Sequence, residues 1–297
     1  MRIFVTGATG WIGSAVVPEL LDAGHQVLGL ARSEAAAASL TELGAEVQRG
    51  DLDDLDSLHA GAVASDGVVH LGYRHDFTQI QAAAQTDLAA ITTIGKALEG
   101  GDRPFVVASG VLGLVAGRVA TEQDEPDPGV HPRIAGVQAA LSFATRGVRA
   151  SSVRFAPTVH GPGDHGFIAV LVGIARAKGV SGYLEDGSNH WPAVHRLDAA
   201  RLVRLAVDNA PAGAALHAVA EEGVPTRAIA EAIGRGLGLP VVSIPADQAG
   251  DHFGWMGRLF GIDSRASSAA TRQRFGWDPV HPGLIADLDA GHYFKEH

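Results

Sequence analysis

The sequence predicts an α/β protein, built as a doubly wound parallel sheet with a smaller C-terminal lobe. Short apolar runs alternate with helical segments: Ile3 to Val5 comes first, then a predicted helix from Trp11 to Ala23, then the apolar run Gln26 to Ala31. This alternation is typical of parallel strands joined by crossover helices. Hydrophobic residues make up 46% of the 297 residues, which is enough for a sizeable core.

The turn between the first strand and the first helix carries three glycines, Gly7, Gly10 and Gly13. Gly7 permits the sharp turn, Gly10 lets the main chain approach a pyrophosphate, and Gly13 lets the helix pack closely on the strand. Free N–H groups at the helix start favour an anion there. The pattern therefore predicts a dinucleotide site in a Rossmann-type domain. The other loop residues expected to contact the cofactor are Thr9, Trp11 and Ile12.

The Gly-x-x-Gly-x-x-Gly spacing resembles that of the extended short-chain dehydrogenase/reductase family, which includes NAD-dependent sugar epimerases and dehydratases. The segment from Arg154 to Asp164 resembles the family's R-P-x-x-V-Y-G-P-G-D segment, with His160 where tyrosine is commoner. The resemblance implies that Pro157 and Val159 belong to a loop over the nicotinamide end of the cofactor. It also implies adenine contacts for Asp51 and Leu52, and nicotinamide-ribose contacts for Leu71 and Gly72.

The end of the second predicted strand bears on the choice of cofactor. NAD-preferring folds usually place a carboxylate here for the ribose hydroxyls, whereas a basic residue suits the 2′-phosphate of NADP. This chain has Arg32 followed by Ser33 at the end of the strand, and the next acidic residue after them is Glu34. The sequence therefore favours NADP (NADPH), although Arg32 as a solvated residue at a helix start is the plain alternative.

The resemblance implies that Ser109, at the end of the fifth predicted strand, holds the substrate oxygen. The family's catalytic Tyr-x-x-x-Lys is expected about 25 residues later, where this chain has Ile134 and Gln138. No other Tyr-x-x-x-Lys occurs, because the only tyrosines are Tyr73, Tyr183 and Tyr293. The fold and cofactor site are therefore expected without the family's usual proton donor.

Titratable side chains are dense in the loop after the fourth predicted strand, Tyr73-Arg74-His75-Asp76-Phe77. The loop falls at the carboxyl edge of a parallel sheet, where ligands bind in such folds. Tyr73 and His75 are candidate proton donors, and Asp76 is a candidate to orient His75 or to cap the following helix. A surface role for His75 is equally compatible with the sequence.

Other polar residues have structural interpretations. We expect Asp51 or Asp53 to cap a helix from Asp54 to Ala62, and Asp198 to cap a helix from Ala199 to Asn209. His195 and Arg196 are candidates for substrate contact by the family resemblance. The aromatic residues near Trp191 and Trp255 suit either an apolar substrate pocket or the packing of a small lobe.

Composition excludes several other classes of function. The net charge of −10 argues against nucleic acid or an anionic membrane surface as the main partner. There is no cysteine, so disulfides, thiol nucleophiles and thiolate metal sites are excluded. The sequence shows no signal peptide and no metal motif such as H-E-x-x-H, so we expect a cytoplasmic protein without a metal site. A homodimer is an expectation from the resemblance.

We expect an NADP-binding domain over residues 1–165, with late sheet elements from about 190–220, and a substrate lobe mainly over residues 166–297, interleaved with it. The resulting hypothesis is an NADPH-dependent reductase of an aldehyde, ketone or imine, with a non-standard proton donor. A non-catalytic NADP(H) sensor and a nucleotide-sugar epimerase or dehydratase are the alternatives. Arg32 and Ile134 both count against the epimerase or dehydratase.

Overall fold

The computed structural model describes residues 1–74, 79–129 and 131–295. The strands are β1 Arg2–Thr6, β2 Gln26–Ala31, β3 Glu46–Arg49, β4 Gly67–His70, β5 Pro104–Gly110, β6 Val119–Ala120, β7 Arg149–Phe155, β8 Thr158–His160, β9 Ser181–Leu184, β10 His190–His195, β11 Ala214–Ala218, β12 Glu221–Pro225, β13 Val241–Ile244 and β14 Arg265–Ala266. The α-helices are α1 Gly13–Asp22, α2 Glu34–Glu42, α3 Leu55–Val63, α4 Ile80–Leu98, α5 Ile134–Ser142, α6 Phe167–Lys178, α7 Arg196–Asn209, α8 Thr226–Leu237, α9 Ala249–Phe253, α10 Met256–Phe260, α11 Ala269–Phe275 and α12 Leu284–Asp289.

Seven parallel strands form the central sheet, in the order β11-β7-β5-β4-β1-β2-β3. The strand order reverses between β1 and β4, and ligands of such sheets bind in the crevice at this point, beyond the carboxyl ends of the strands. The doubly wound Rossmann-type fold predicted from the sequence is confirmed.

Helices cover both faces of this sheet. Apolar side chains of α1, α2 and α7 pack on one face, and those of α3, α4 and α5 pack on the other. The central strands are buried on both sides, which explains why they appear in the sequence as continuous apolar runs. Among the described residues, no helix is long and apolar enough to cross a membrane.

A second core lies in the C-terminal part of the chain. It is built around the fully buried Trp191 of β10, with apolar residues from α6, α8, α10 and α12. Three smaller sheets accompany it: β12-β10-β8, β13-β9 and β14-β6. The two-residue strands β6 and β14 pair with each other although they are far apart in the sequence, and no local sequence pattern predicts them.

Two predicted helix caps are wrong. Asp54, and neither Asp51 nor Asp53, caps α3 by accepting from the Ser57 N–H at 3.0 Å.

Helix α7 begins at Arg196, three residues earlier than expected, because His195 is its N-cap and its Nδ1 accepts from the Leu197 N–H at 3.2 Å. Asp198 therefore lies inside the first turn. Its oxygens accept instead from the N–H groups of Val280 and His281 at 3.1 and 3.0 Å and from His281 Nδ1 at 2.9 Å. Asp198 anchors a distant segment of the chain to α7.

Candidate active site

The glycine loop between β1 and α1 has the geometry of a cradle for a bound group. Gly7 has φ +66°, and a Cβ at Gly7 would lie 2.7 Å from the Gly72 nitrogen. A Cβ at Gly13 would lie 2.0 Å from the Gly7 carbonyl oxygen. A side chain therefore cannot be added at Gly7 or Gly13 without opening the loop, which gives the glycine spacing a steric cause.

Several N–H groups of this loop are available to an anion. In the part of the chain that the structure describes, the N–H groups of Thr9, Trp11 and Ile12 make no hydrogen bond, whereas the Gly10 N–H bonds to the Gly7 carbonyl. Unpartnered N–H groups at the start of a helix favour phosphate oxygens. The loop therefore fits the pyrophosphate of a dinucleotide.

Trp11 ties the glycine loop to the segment that was expected to lie over the cofactor. Its indole Nε1 donates to the Val159 carbonyl at 2.7 Å, and the Arg196 guanidinium lies 4.2 Å from its ring centroid. Pro157, two residues before Val159, is half-buried between β7 and β8. The structure thus brings Val159 and Arg196 to the loop, although they are distant from it in sequence.

Arg32 lies directly after β2 and is exposed. Its side chain makes no hydrogen bond or ion pair with any residue in the described ranges. Ser33 caps α2 by accepting from the Ala36 N–H at 3.2 Å, and its carbonyl accepts from Arg49, whose guanidinium pairs with Glu34. Within the described residues, Arg32 is therefore an exposed cation at this sheet edge without a protein partner.

The remaining predicted cofactor residues lie in the turn after β3 and beside the glycine loop. Asp51 accepts from the N–H groups of Asp53 and Asp54 at 2.8 and 3.2 Å, which holds the turn after β3. Leu52 is half-buried beside Gly72, where an added Cβ would lie 3.0 Å from the leucine Cδ2. Leu71 donates its N–H to the Thr6 carbonyl, so residues 71 and 72 lie directly against the glycine loop.

Ser109 is half-buried near the carboxyl end of β5. Its hydroxyl makes no hydrogen bond within the described ranges, so it is available to a substrate oxygen. The carbonyl of its neighbour Ala108 accepts from Arg133 Nη2 at 3.2 Å. Arg133 immediately precedes α5, on which the family would carry its catalytic tyrosine and lysine.

The same arginine meets one of the two predicted proton donors. The Arg133 guanidinium lies 4.1 Å from the ring centroid of the half-buried Tyr73. Burial raises the pKa of the Tyr73 phenol, and the positive charge of Arg133 opposes that rise. The other predicted donor, His75, lies outside the described residues, as does Asp76.

A buried polar chain connects Arg133 to the glycine loop. Asp87 on α4 is 2% exposed; its Oδ2 is 3.9 Å from Arg133 Nε, and its Oδ1 is 3.2 Å from His70 Nε2. His70 Nδ1 in turn is 2.8 Å from the Thr6 hydroxyl, whose oxygen also accepts from the Gly72 N–H. Buried charges need such partners, so these contacts hold Arg133 at the site.

Comparison with known proteins agrees with this geometry. The sequence profile of the NAD dependent epimerase/dehydratase family matches residues 3–219. The chain belongs to this family. A Schizosaccharomyces pombe protein of uncharacterised function is 47% identical over 296 residues, which span 99% of this chain and 100% of the relative.

Two further proteins that are similar to this chain have named activities. A 4-hydroxy-2-methyl-3-oxo-4-farnesyl-3,4-dihydroquinoline-1-oxide ketoreductase of Stigmatella aurantiaca is 26% identical over 228 residues, or 72% of this chain and 66% of the relative. The crystal structure of a dTDP-glucose 4,6-dehydratase from Streptomyces venezuelae, with NAD bound, superposes with a TM-score of 0.78 at 20% identity. The superposition covers 98% of this chain and 96% of the dehydratase chain, so the two proteins share a fold.

The family's NAD(P)-dependent chemistry usually depends on Tyr-x-x-x-Lys, and the two residues expected at those positions lie at the start of α5. Ile134 is half-buried and Gln138 is exposed. Neither side chain can release a proton near neutral pH. Sequence reasoning missed Arg133, although an arginine before an alanine-rich apolar helix was the available signal.

A histidine cluster lies where the ends of β8 and β10 meet the segment after α11. His195 stacks on His281 with ring centroids 4.6 Å apart and meets His160 edge-on at 5.5 Å. Burial, followed by the charge of His160, lowers the pKa of His195 to about 4. His195 is therefore a neutral imidazole in the folded chain at neutral pH.

Within the described ranges, one group of side chains of the kinds that bind metal ions lies close together. It consists of His195, Asp198 and His281, whose potential ligand atoms lie within 4.8 Å of one another. Their atoms already have protein partners, since Asp198 accepts from residues 280 and 281 and His195 Nδ1 accepts from the Leu197 N–H. We therefore interpret this group as an anchor between α7 and the C-terminal segment.

Proposed function

We propose that this member of the NAD dependent epimerase/dehydratase family is an NADPH-dependent reductase of a small carbonyl compound or a related imine. The observation that carries the proposal is Arg32, an exposed cation without a protein partner in the described ranges, at the strand end where the cofactor ribose is bound in this fold. A 2′-phosphate offers the charge that such a guanidinium pairs with.

Ser109 has the position and the available hydroxyl to hold the substrate oxygen at the crevice. When bound, the reduced nicotinamide supplies a hydride to the carbonyl carbon. Negative charge then develops on the substrate oxygen, and a hydrogen bond from the Ser109 hydroxyl stabilises that charge. The similarity to the ketoreductase from Stigmatella aurantiaca supports this reaction class.

The first experiment measures NADPH and NADH consumption by the purified chain with a panel of aldehydes, ketones, imines and quinones. We expect turnover with preference for NADPH. Turnover that prefers NADH would contradict the cofactor assignment, and cofactor binding without turnover on the whole panel would favour the sensor alternative.

Two variants assign the residues. Arg32→Gln should weaken NADPH binding by about ten- to a hundredfold, because it removes a charged hydrogen-bond donor, and should leave NADH binding unchanged. Arg258→Gln, at an exposed arginine on α10, is the matched control. Ser109→Ala should reduce kcat without changing the NADPH Kd, and a fully active Ser109→Ala variant would contradict the role of Ser109.

The epimerase or dehydratase alternative makes a different prediction. Such enzymes retain NAD and return the hydride to the same substrate, so they show no net consumption of added cofactor. Incubation with a nucleotide sugar and analysis of the products distinguishes this activity from net reduction.

A further inference from the structure

We propose that Tyr73 is the proton donor of the site and that Arg133 is the positioning residue that stabilises its phenolate. This inference rests on the proposed reductase function. The pair would replace Tyr-x-x-x-Lys by a tyrosine from the loop after β4 and a cation from the residue preceding α5. The same fold would then carry its acid and its cation on different elements.

The Arg133 guanidinium contacts both Tyr73 and the residue that precedes Ser109, the predicted substrate-binding serine. Arg133 lies 4.1 Å from the Tyr73 ring centroid and donates to the Ala108 carbonyl at 3.2 Å. Ala108 precedes Ser109 on β5, and Tyr73 follows Gly72, whose backbone borders Gly7 of the cofactor loop. Tyr73 and Ser109 therefore approach the crevice from two neighbouring strands, β4 and β5, with Arg133 between them.

Buried contacts hold Arg133 in this position. Its side chain is 21% exposed, and its Nε lies 3.9 Å from Asp87 Oδ2, which is too far for a hydrogen bond. Gly136, one turn into α5, leaves room for that carboxylate, since a Cβ there would lie 3.0 Å from Asp87 Oδ2. The ion pair with Asp87 compensates part of the cost of burying the guanidinium charge.

Arg133 eases the release of a proton from the Tyr73 phenol. Burial raises the pKa of Tyr73 above its ordinary value, the charge of Arg133 opposes that rise without cancelling it, and the charge of Asp87 adds to it. Among the residues that the structure describes, His131 is a further titratable group beside Arg133, and its Nδ1 accepts from the Arg133 N–H at 3.1 Å. Among these groups, Arg133 is the one that stabilises a phenolate.

In the proposed reaction the substrate carbonyl is reduced to an alcohol. The carbonyl carbon would gain the hydride that a bound reduced nicotinamide supplies, and the C=O π electron pair would move to the oxygen. That oxygen takes the proton of the Tyr73 hydroxyl, and the resulting phenolate lies beside the Arg133 cation. Water then returns a proton to the phenolate, so the products are the alcohol, the oxidised cofactor and hydroxide, which the buffer neutralises.

The first test reads the tyrosine without any reaction. The chain has three tyrosines, so labelling with ¹³Cζ-tyrosine gives three NMR signals, and Tyr73→Phe identifies that of Tyr73. In Arg133→Met, Tyr73 should titrate at higher pH than in the unmodified chain, and Arg133→Lys should reverse part of that change. Arg227, whose guanidinium lies 5.4 Å from the Tyr183 ring centroid, provides the matched control Arg227→Met.

An unchanged Tyr73 titration in folded Arg133→Met would overturn the role of Arg133. Both Arg133→Met and Arg133→Gln remove the cation beside Asp87, but glutamine keeps an amide N–H that can donate to the buried carboxylate, so Arg133→Gln serves the same purpose if Arg133→Met does not fold. Far-UV circular dichroism establishes that each variant is folded before its titration is interpreted.

The second test is kinetic. Tyr73→Phe should lower kcat by about 10²- to 10⁴-fold, the contribution of general acid catalysis, with the NADPH Kd unchanged. Tyr183→Phe should keep full turnover. Equal turnover of Tyr73→Phe and the unmodified chain would overturn the donor role alone, whereas absence of turnover by the unmodified chain would overturn the reductase function and the donor role with it.

Discussion

Acid should destabilise this protein through His195, and the effect can be isolated by one substitution. His195 is 6% exposed at the end of β10, where it stacks on His281 and contacts His160. Burial and the neighbouring His160 and His281 lower its pKa from 6.5 to about 4, while Asp287 and Asp198 oppose that change. The folded chain therefore resists protonation at this imidazole.

The sign and size of the effect follow from proton linkage. Below pH 6.5 the unfolded chain binds a proton at this position that the folded chain does not bind until about pH 4. The free energy of unfolding therefore falls as the pH drops through this window. Each pH unit in the window is worth about 1.4 kcal/mol, so the loss is about 2 kcal/mol at pH 5 and is absent at pH 8.

The variant His195→Asn removes the titration and keeps a residue suited to cap α7. We would measure urea unfolding of the unmodified chain and the variant at pH 8, 6.5 and 5 at constant ionic strength. The difference at pH 8 reports lost packing, and the variant should gain about 2 kcal/mol relative to the unmodified chain by pH 5. Parallel pH dependences of the two proteins would refute the reasoning.

Two further predictions concern the glycine loop and the C-terminal anchor. Gly13→Ala should lower the free energy of unfolding by about 1–3 kcal/mol and abolish tight NADPH binding, because its Cβ would meet the Gly7 carbonyl oxygen. Gly173→Ala on α6, where a Cβ meets nothing within 4 Å, should not destabilise the chain. Thermal unfolding and cofactor titration check both variants. Asp198→Ala should lower the free energy of unfolding, measured in urea, by about 2–4 kcal/mol, because three donors at Val280 and His281 lose their acceptor. An unchanged urea midpoint would contradict the proposed anchor.

Local patterns were sufficient where the structure depends on neighbours in sequence. Strand β2 has the predicted bounds, Gln26–Ala31. Its apolar run is read directly from the chain. The predictions failed at caps such as Asp198, because a distant segment, residues 280 and 281, competes for the same carboxylate.

The candidate site divides in the same way. The glycine loop was identified from the spacing of its glycines within a strand and turn, and Ser109 was identified from the family resemblance. Arg133 was missed, because its importance comes from Tyr73, Asp87 and Ala108, which lie 25 to 60 residues earlier in the chain. His75 remains a prediction, since it lies outside the described residues.

The sequence by itself determined the alternation of the first strands and helices, the glycine cradle and the absence of Tyr-x-x-x-Lys, because each depends on residues a few positions apart. Only the tertiary structure decided that Arg133 lies on Tyr73 and that Asp198 holds the C-terminal segment. Buried charges take whichever partner the packing of the whole chain brings within reach, and that choice is not encoded in any local pattern.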